Sequence, residues 1–116
     1  DAHLQVGIIL AKLGDRKEAM KYFDKVLSLQ PRNAAAMNNR GNIFMIEDKH
    51  LDAQKAYLAA TQAAPNDPHV WVNLARAYKA TNDIEKAKEA FIKAQTLDPA
   101  VKDEHRALAL ELLNAL

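Results

Sequence analysis

Apolar residues recur along this chain at steps of four and three. Ala19, Phe23 and Val26 show the step, and the sets Ala53, Tyr57, Ala60 and Ala87, Phe91, Ala94 repeat it. Such spacing places side chains on one face of an α-helix. Val6, Leu10 and Leu13 form a comparable face, as do Trp71, Leu74 and Tyr78. The pattern is interrupted at Gly14-Asp15, Asp48-Lys49 and Asn82-Asp83. Gly and Asn accept the left-handed backbone that closes one helix, and Asp can cap the next. Asp15 and Glu18 have capping-box spacing. Asp67-Pro68 sets a cap before a proline at the first helical position. The pattern predicts seven helices, over about 2–13, 17–29, 34–47, 51–63, 69–80, 84–97 and 101–115. Their connections are short, so neighbours are expected to run antiparallel.

The pattern itself repeats. Pro31, Pro65 and Pro99 are 34 residues apart, and other columns keep the same step. Phe23, Tyr57 and Phe91 align, as do Ala19, Ala53 and Ala87. Leu10, Phe44 and Tyr78 form a further column, and Val6, Arg40 and Leu74 another. Gly7, Gly41 and Ala75 are uniformly small, and His3, Met37 and Trp71 complete the set. Three copies of a two-helix unit are followed by one amphipathic tail helix.

The period of 34, the set Trp71, Leu74, Ala75, Tyr78 and the set Ala87, Phe91, Ala94, Pro99 together resemble the tetratricopeptide repeat. The likeness spans residues 1–101, and the tail resembles the family's terminal solvating helix. It implies an all-α fold: a right-handed superhelical array of antiparallel helix pairs, an α-solenoid whose first helices line a concave groove. As a single domain, the chain divides into repeats over approximately 1–33, 34–67 and 68–101 and a C-terminal helix over 102–116. His3 and Met37 stand where the family usually has a large aromatic, and Arg40 replaces the usual Leu. The Arg40 stem is expected to pack while its guanidinium reaches solvent or a helix end. Trp71 is expected to be largely buried between the helices of the third unit.

Composition narrows the chemistry. The 116 residues are 49% hydrophobic and 27% charged, with 6% aromatic and no Cys. Sixteen basic and fifteen acidic residues leave a formal charge of +1, which gives no electrostatic case for nucleic acid. No apolar run approaches the roughly 18–20 residues that span a bilayer, so no membrane insertion is expected. The first residues, Asp1 to Gln5, do not form a signal sequence, and without an initiator Met the chain reads as a piece of a longer protein. Ser28 has no His in helical reach, and no two of the four His have the i, i+4 spacing of a helical metal site. No Gly-rich phosphate loop is present in the sequence. An enzyme, a cofactor and a metal are therefore not expected. What remains is a non-enzymatic scaffold that binds a protein or extended peptide, as the resemblance also implies.

At about 100° per residue, the positions opposite the packing face of each first helix can be counted. They include Asn39 and Asn42 in unit two and His69, Asn73 and Arg76 in unit three, with Asn38 at the edge. Asn is a mediocre helix former, so four of them within helices suggest a use. An amide carries a donor and an acceptor, and can pair with an extended peptide whatever its sequence. The other reading is that these amides solvate the surface or bond between helices. Chaperone-tail binders of the family hold a terminal carboxylate with Lys, Asn, Asn, Lys and Arg. The matching positions here are Leu4, Ile8, Asn39, His69 and Asn73, of which only Asn39 conforms. Apolar residues at the two ends, Ile9 and Leu13 and then Leu110, Leu113 and Leu116, suggest an alternative role in homo-oligomerisation or in packing on the rest of a parent protein.

Overall fold

The computed structural model describes residues 1–115. Three helix pairs follow one another: α1 (Ala2–Lys12) with α2 (Arg16–Leu29), α3 (Ala34–Ile46) with α4 (His50–Ala63), and α5 (Pro68–Ala80) with α6 (Ile84–Leu97). Each helix packs chiefly on its neighbours in sequence, and the array measures 40 × 26 × 21 Å. The first six helices begin and end within one residue of the positions expected from the sequence.

The tail departs from expectation. It is two helices, α7 (Val101–Glu104) and α8 (Arg106–Asn114), separated at His105 with φ −120° and ψ 44°. Eight helices are therefore found among the described residues. The periodicity of Val101, Leu108 and Leu112 conceals the break, because all three are buried on either side of it. His105 falls at the first packing column of the repeat, yet it sits at the kink and turns toward α5.

The turns within units obey one rule. Gly14, Asp48 and Asn82 have φ of 88°, 59° and 61°, and they are 34 residues apart. Each lets two N–H groups reach back to the closing carbonyls, as in Asp48 N to Met45 O and Lys49 N to Phe44 O. Asp15 caps α2 by accepting from Glu18 N at 3.4 Å, and Asn33 caps α3 by accepting from Ala36 N at 2.9 Å. Asp67 accepts from His69 N at 3.0 Å ahead of the N1 proline of α5.

Packing follows the repeat columns. Ala19, Phe23 and Val26 of α2 are fully buried, and so are Ala53 and Ala60 of α4 and Ala87 and Ala94 of α6. The small first-helix residues admit the rings of the second helices. A methyl group on Gly7 would stand 2.6 Å from Phe23 Cε1, and one on Gly41 would stand 2.5 Å from Tyr57 Cε1. Arg40 lays its guanidinium 5.5 Å from the Phe44 ring centroid, with Nε 2.9 Å from Asp24 Oδ1. The Nε–H is not aimed at that oxygen, so this is a charge contact between α3 and α2 and not a hydrogen bond. Trp71 is half-buried and not enclosed between its helices, and its indole N–H donates to the Pro65 carbonyl at 2.9 Å. Val6 is also more open than its column implies, at 38% exposure, because no described helix covers that flank of α1.

Candidate binding groove

The short turns hold α1, α3 and α5 side by side, and the residues counted as groove-facing lie mostly on α3 and α5. Their amides are engaged. Asn39 Nδ2 donates to the Ala35 carbonyl one turn back at 2.8 Å. Asn73 Nδ2 donates to Asn38 Oδ1 at 2.9 Å, which ties α5 to α3. The Tyr57 hydroxyl donates to Asn42 Oδ1 at 2.5 Å, linking α4 to the same face. Among the described residues, the side-chain oxygens of Asn39 and Asn73 have no protein partner. Two amide acceptors thus stand at the same register, one unit apart.

Burial pushes the Tyr57 phenol well above the usual tyrosine range, and the Arg76 charge offsets this only in part. Tyr57 therefore stays neutral and remains a donor. Its role was hidden in the sequence because the same column holds Phe23 and Phe91, which have no hydroxyl.

The far end of the face meets the tail. Arg76 Nη2 lies 2.8 Å from His105 Nδ1, and Lys79 forms an ion pair with Glu111. Arginine can only donate, so the His105 Nδ1 lone pair accepts and a neutral ring carries its proton on Nε2. Partial burial and then the Arg76 guanidinium hold His105 below the usual histidine range, with Glu104 opposing them. His69 is exposed in the first turn of α5, near Glu104 and His105. Between α5 and the tail lies an open cleft of about 370 Å³, lined by Arg76, Lys79, Glu104, His105, Ala107 and Glu111 among others. The structure thus brings Asn38 to Asn73, and His69 and Arg76 to the tail, while Asn42 turns to Tyr57. Lys79, near the face, and His105 and Glu111 do not fall at the counted groove positions. The available signal was the seven-residue spacing of Glu104 and Glu111 in a tail that follows a helix carrying Arg76 and Lys79.

The terminal apolar residues are exposed: Ile9 by 55%, Leu13 by 76%, Leu110 by 48% and Leu113 by 69%. Leu116 lies outside the described residues. Leu108 and Leu112 of the same helix are buried.

A family model described as tetratricopeptide repeat matches residues 5–68, and a second with that description matches 68–101. The chain belongs to the tetratricopeptide repeat family. Among its relatives, the general transcriptional corepressor ssn6 of Schizosaccharomyces pombe is 28% identical over 103 residues, covering 84% of this chain and 9% of the relative. The chain spans 9–21% of the length of the first three curated relatives it matches. The repeat array superposes on the first TPR of Spaghetti (RPAP3) bound to the HSP90 peptide SRMEEVD, with a TM-score of 0.85 at 20% identity. That match covers 97% of this chain and 92% of the other. MamA 41-end from Desulfovibrio magneticus RS-1 is 32% identical with a TM-score of 0.75, over 97% of this chain and 73% of that one. The fold class is an all-α array of tetratricopeptide helix pairs. No described helix is long and apolar enough to cross a membrane.

Proposed function

We propose that this domain is a non-enzymatic protein-interaction scaffold that holds an extended peptide or a partner protein along the faces of α3 and α5. The observation that carries the reading is the pair of unbonded amide oxygens on Asn39 and Asn73. Each is fixed by its own Nδ2 hydrogen bond, so the acceptors are pre-oriented and lose little freedom on binding. Backbone N–H groups of an extended chain are their natural donors. Arg76 adds a cation at the same end and favours an acidic residue in the ligand. The peptide in the Spaghetti complex supports peptide binding as a class of function, but the clamp residues for a terminal carboxylate are not matched here. An internal segment is therefore the proposed ligand.

A peptide-display screen on the intact chain, followed by titration calorimetry, tests this. Asn39→Ala and Asn73→Ala should each weaken a selected ligand by about 0.5–1.5 kcal/mol. The melting temperature should change little in Asn39→Ala and fall in Asn73→Ala, which also loses the bond to Asn38. A ligand indifferent to both, and to Arg76→Ala, would move the site off this face.

A second reading, a structural or self-assembly role, is favoured by the exposed Ile9, Leu13, Leu110 and Leu113. Mass measured against concentration separates the two, and Leu110→Glu or Leu113→Glu should then return an associated form to monomer. A monomer at all concentrations, unaffected by these changes, removes self-association.

A further inference from the structure

We propose that His69, Glu104 and His105 form a binding site for a divalent transition-metal ion of the zinc type. The three come from two elements 35 residues apart, yet one ligand atom from each lies within 4.8 Å of the others. Two imidazoles and one carboxylate are a common donor set for such ions, with a fourth position open to water.

The backbone under each ligand is fixed. His69 stands behind Pro68 with its N–H held by Asp67 Oδ1 at 3.0 Å. His105 N donates to the Val101 carbonyl at 2.9 Å, and the His105 carbonyl accepts from Ala109 N at 3.0 Å. Glu104 precedes it on the last turn of α7. The break in the tail is what aims His105 at α5 and not into the core. Ligand atoms around a tetrahedral zinc are about 3.4 Å apart, given metal–ligand bonds of about 2.1 Å. The present spacing closes to that by rotation of side chains, and His69 and Glu104 are exposed and free to rotate.

One group opposes the ion. Arg76 Nη2 occupies the His105 Nδ1 lone pair and brings a positive charge. A metal bound through Nδ1 displaces Arg76 directly. A metal bound through Nε2 requires the ring proton to move to Nδ1, which also ends that hydrogen bond. Arg76 is exposed and can swing away, so the ion and the guanidinium compete for one ring.

The intact chain is titrated with Zn²⁺ by calorimetry, and with Co²⁺ by its visible absorption, in a His3→Ala background that removes an unrelated histidine. One equivalent should bind saturably at micromolar concentrations, with the intense bands of a low-coordinate cobalt centre. His69→Ala and His105→Ala should each weaken binding on the order of tenfold or more, and His50→Ala should not. Arg76→Gln should tighten it, which a merely unspecific surface site would not do. The ligands lie at the surface, and circular dichroism checks that each variant is folded. Absence of saturable binding below millimolar metal, or affinity in His69→Ala or His105→Ala unchanged from the parent protein, overturns the site.

Discussion

The Tyr57 hydroxyl donates to Asn42 Oδ1 at 2.5 Å, so one side chain fills the core of unit two and also braces its outer face. The ring is buried, at 2% exposure, and its hydroxyl spans from α4 to α3. Units one and three place Phe23 and Phe91 in the same column and cannot make this link.

Tyr57→Phe should therefore cost about 0.5–1.5 kcal/mol at neutral pH, read from chemical denaturation. The same bond gives a pH signature. Burial raises the folded-state pKa of Tyr57 above the ordinary value of about 10, so its contribution is complete below that pH and is lost as pH rises above it. The wild type should lose stability in alkali more steeply than Tyr57→Phe, and the two curves should converge. Parallel curves above pH 10 would count against a neutral buried phenol.

Gly41→Ala should destabilise the protein. Its new methyl would meet the Tyr57 ring at 2.5 Å, and a ring held at both ends by packing and a hydrogen bond cannot retreat. Overpacking of this kind costs about 1–3 kcal/mol, of which better helix propensity returns up to about 1. Unit three carries Ala75 at this position, fully buried, so its helix pair already has room for the methyl. The reverse change, Ala75→Gly, should lower the melting temperature through a cavity and a weaker helix.

Trp71→Ala should cost about 2–3 kcal/mol, less than the roughly 3–5 of a fully enclosed tryptophan. The indole is half-buried beside Leu58, Leu74 and Tyr78, with its N–H on the Pro65 carbonyl. Native emission should be intermediate between buried and solvated. Trp71→Phe should cost less than Trp71→Ala, because a ring stays beside Leu58, Leu74 and Tyr78 while the bond to the Pro65 carbonyl and part of the packing are lost.

The sequence made the helix pairs legible because their determinants are local and threefold repeated. The turn at Asp48, which has neither Gly nor Asn, is identified by Gly14 and Asn82 at the same register. The tail had no second copy to check it. Its apolar spacing fits one continuous helix, and only the tertiary pull of Arg76 and Lys79 on His105 and Glu111 accompanies the break. The asparagine face was legible as a set of positions, not as a set of bonds. Spacing cannot tell an amide open on both sides from one whose Nδ2 is already spent, as in Asn39 and Asn73.

Most of the buried apolar residues fall into two clusters and not one. The larger runs from Ala53 and Tyr57 through α5 and α6 to Leu112, while Ala19, Phe23 and Ile43 form a smaller one around the first unit. Because helices touch chiefly their neighbours in sequence, melting is expected to travel along the array as a boundary and not to strike everywhere at once. Amide exchange should be fastest in α1 and slowest in α5 and α6. Trp71, seated in the larger cluster, will report a midpoint that overstates the cohesion of the first unit. A calorimetric enthalpy larger than the one inferred from tryptophan fluorescence is the mark of that division of labour.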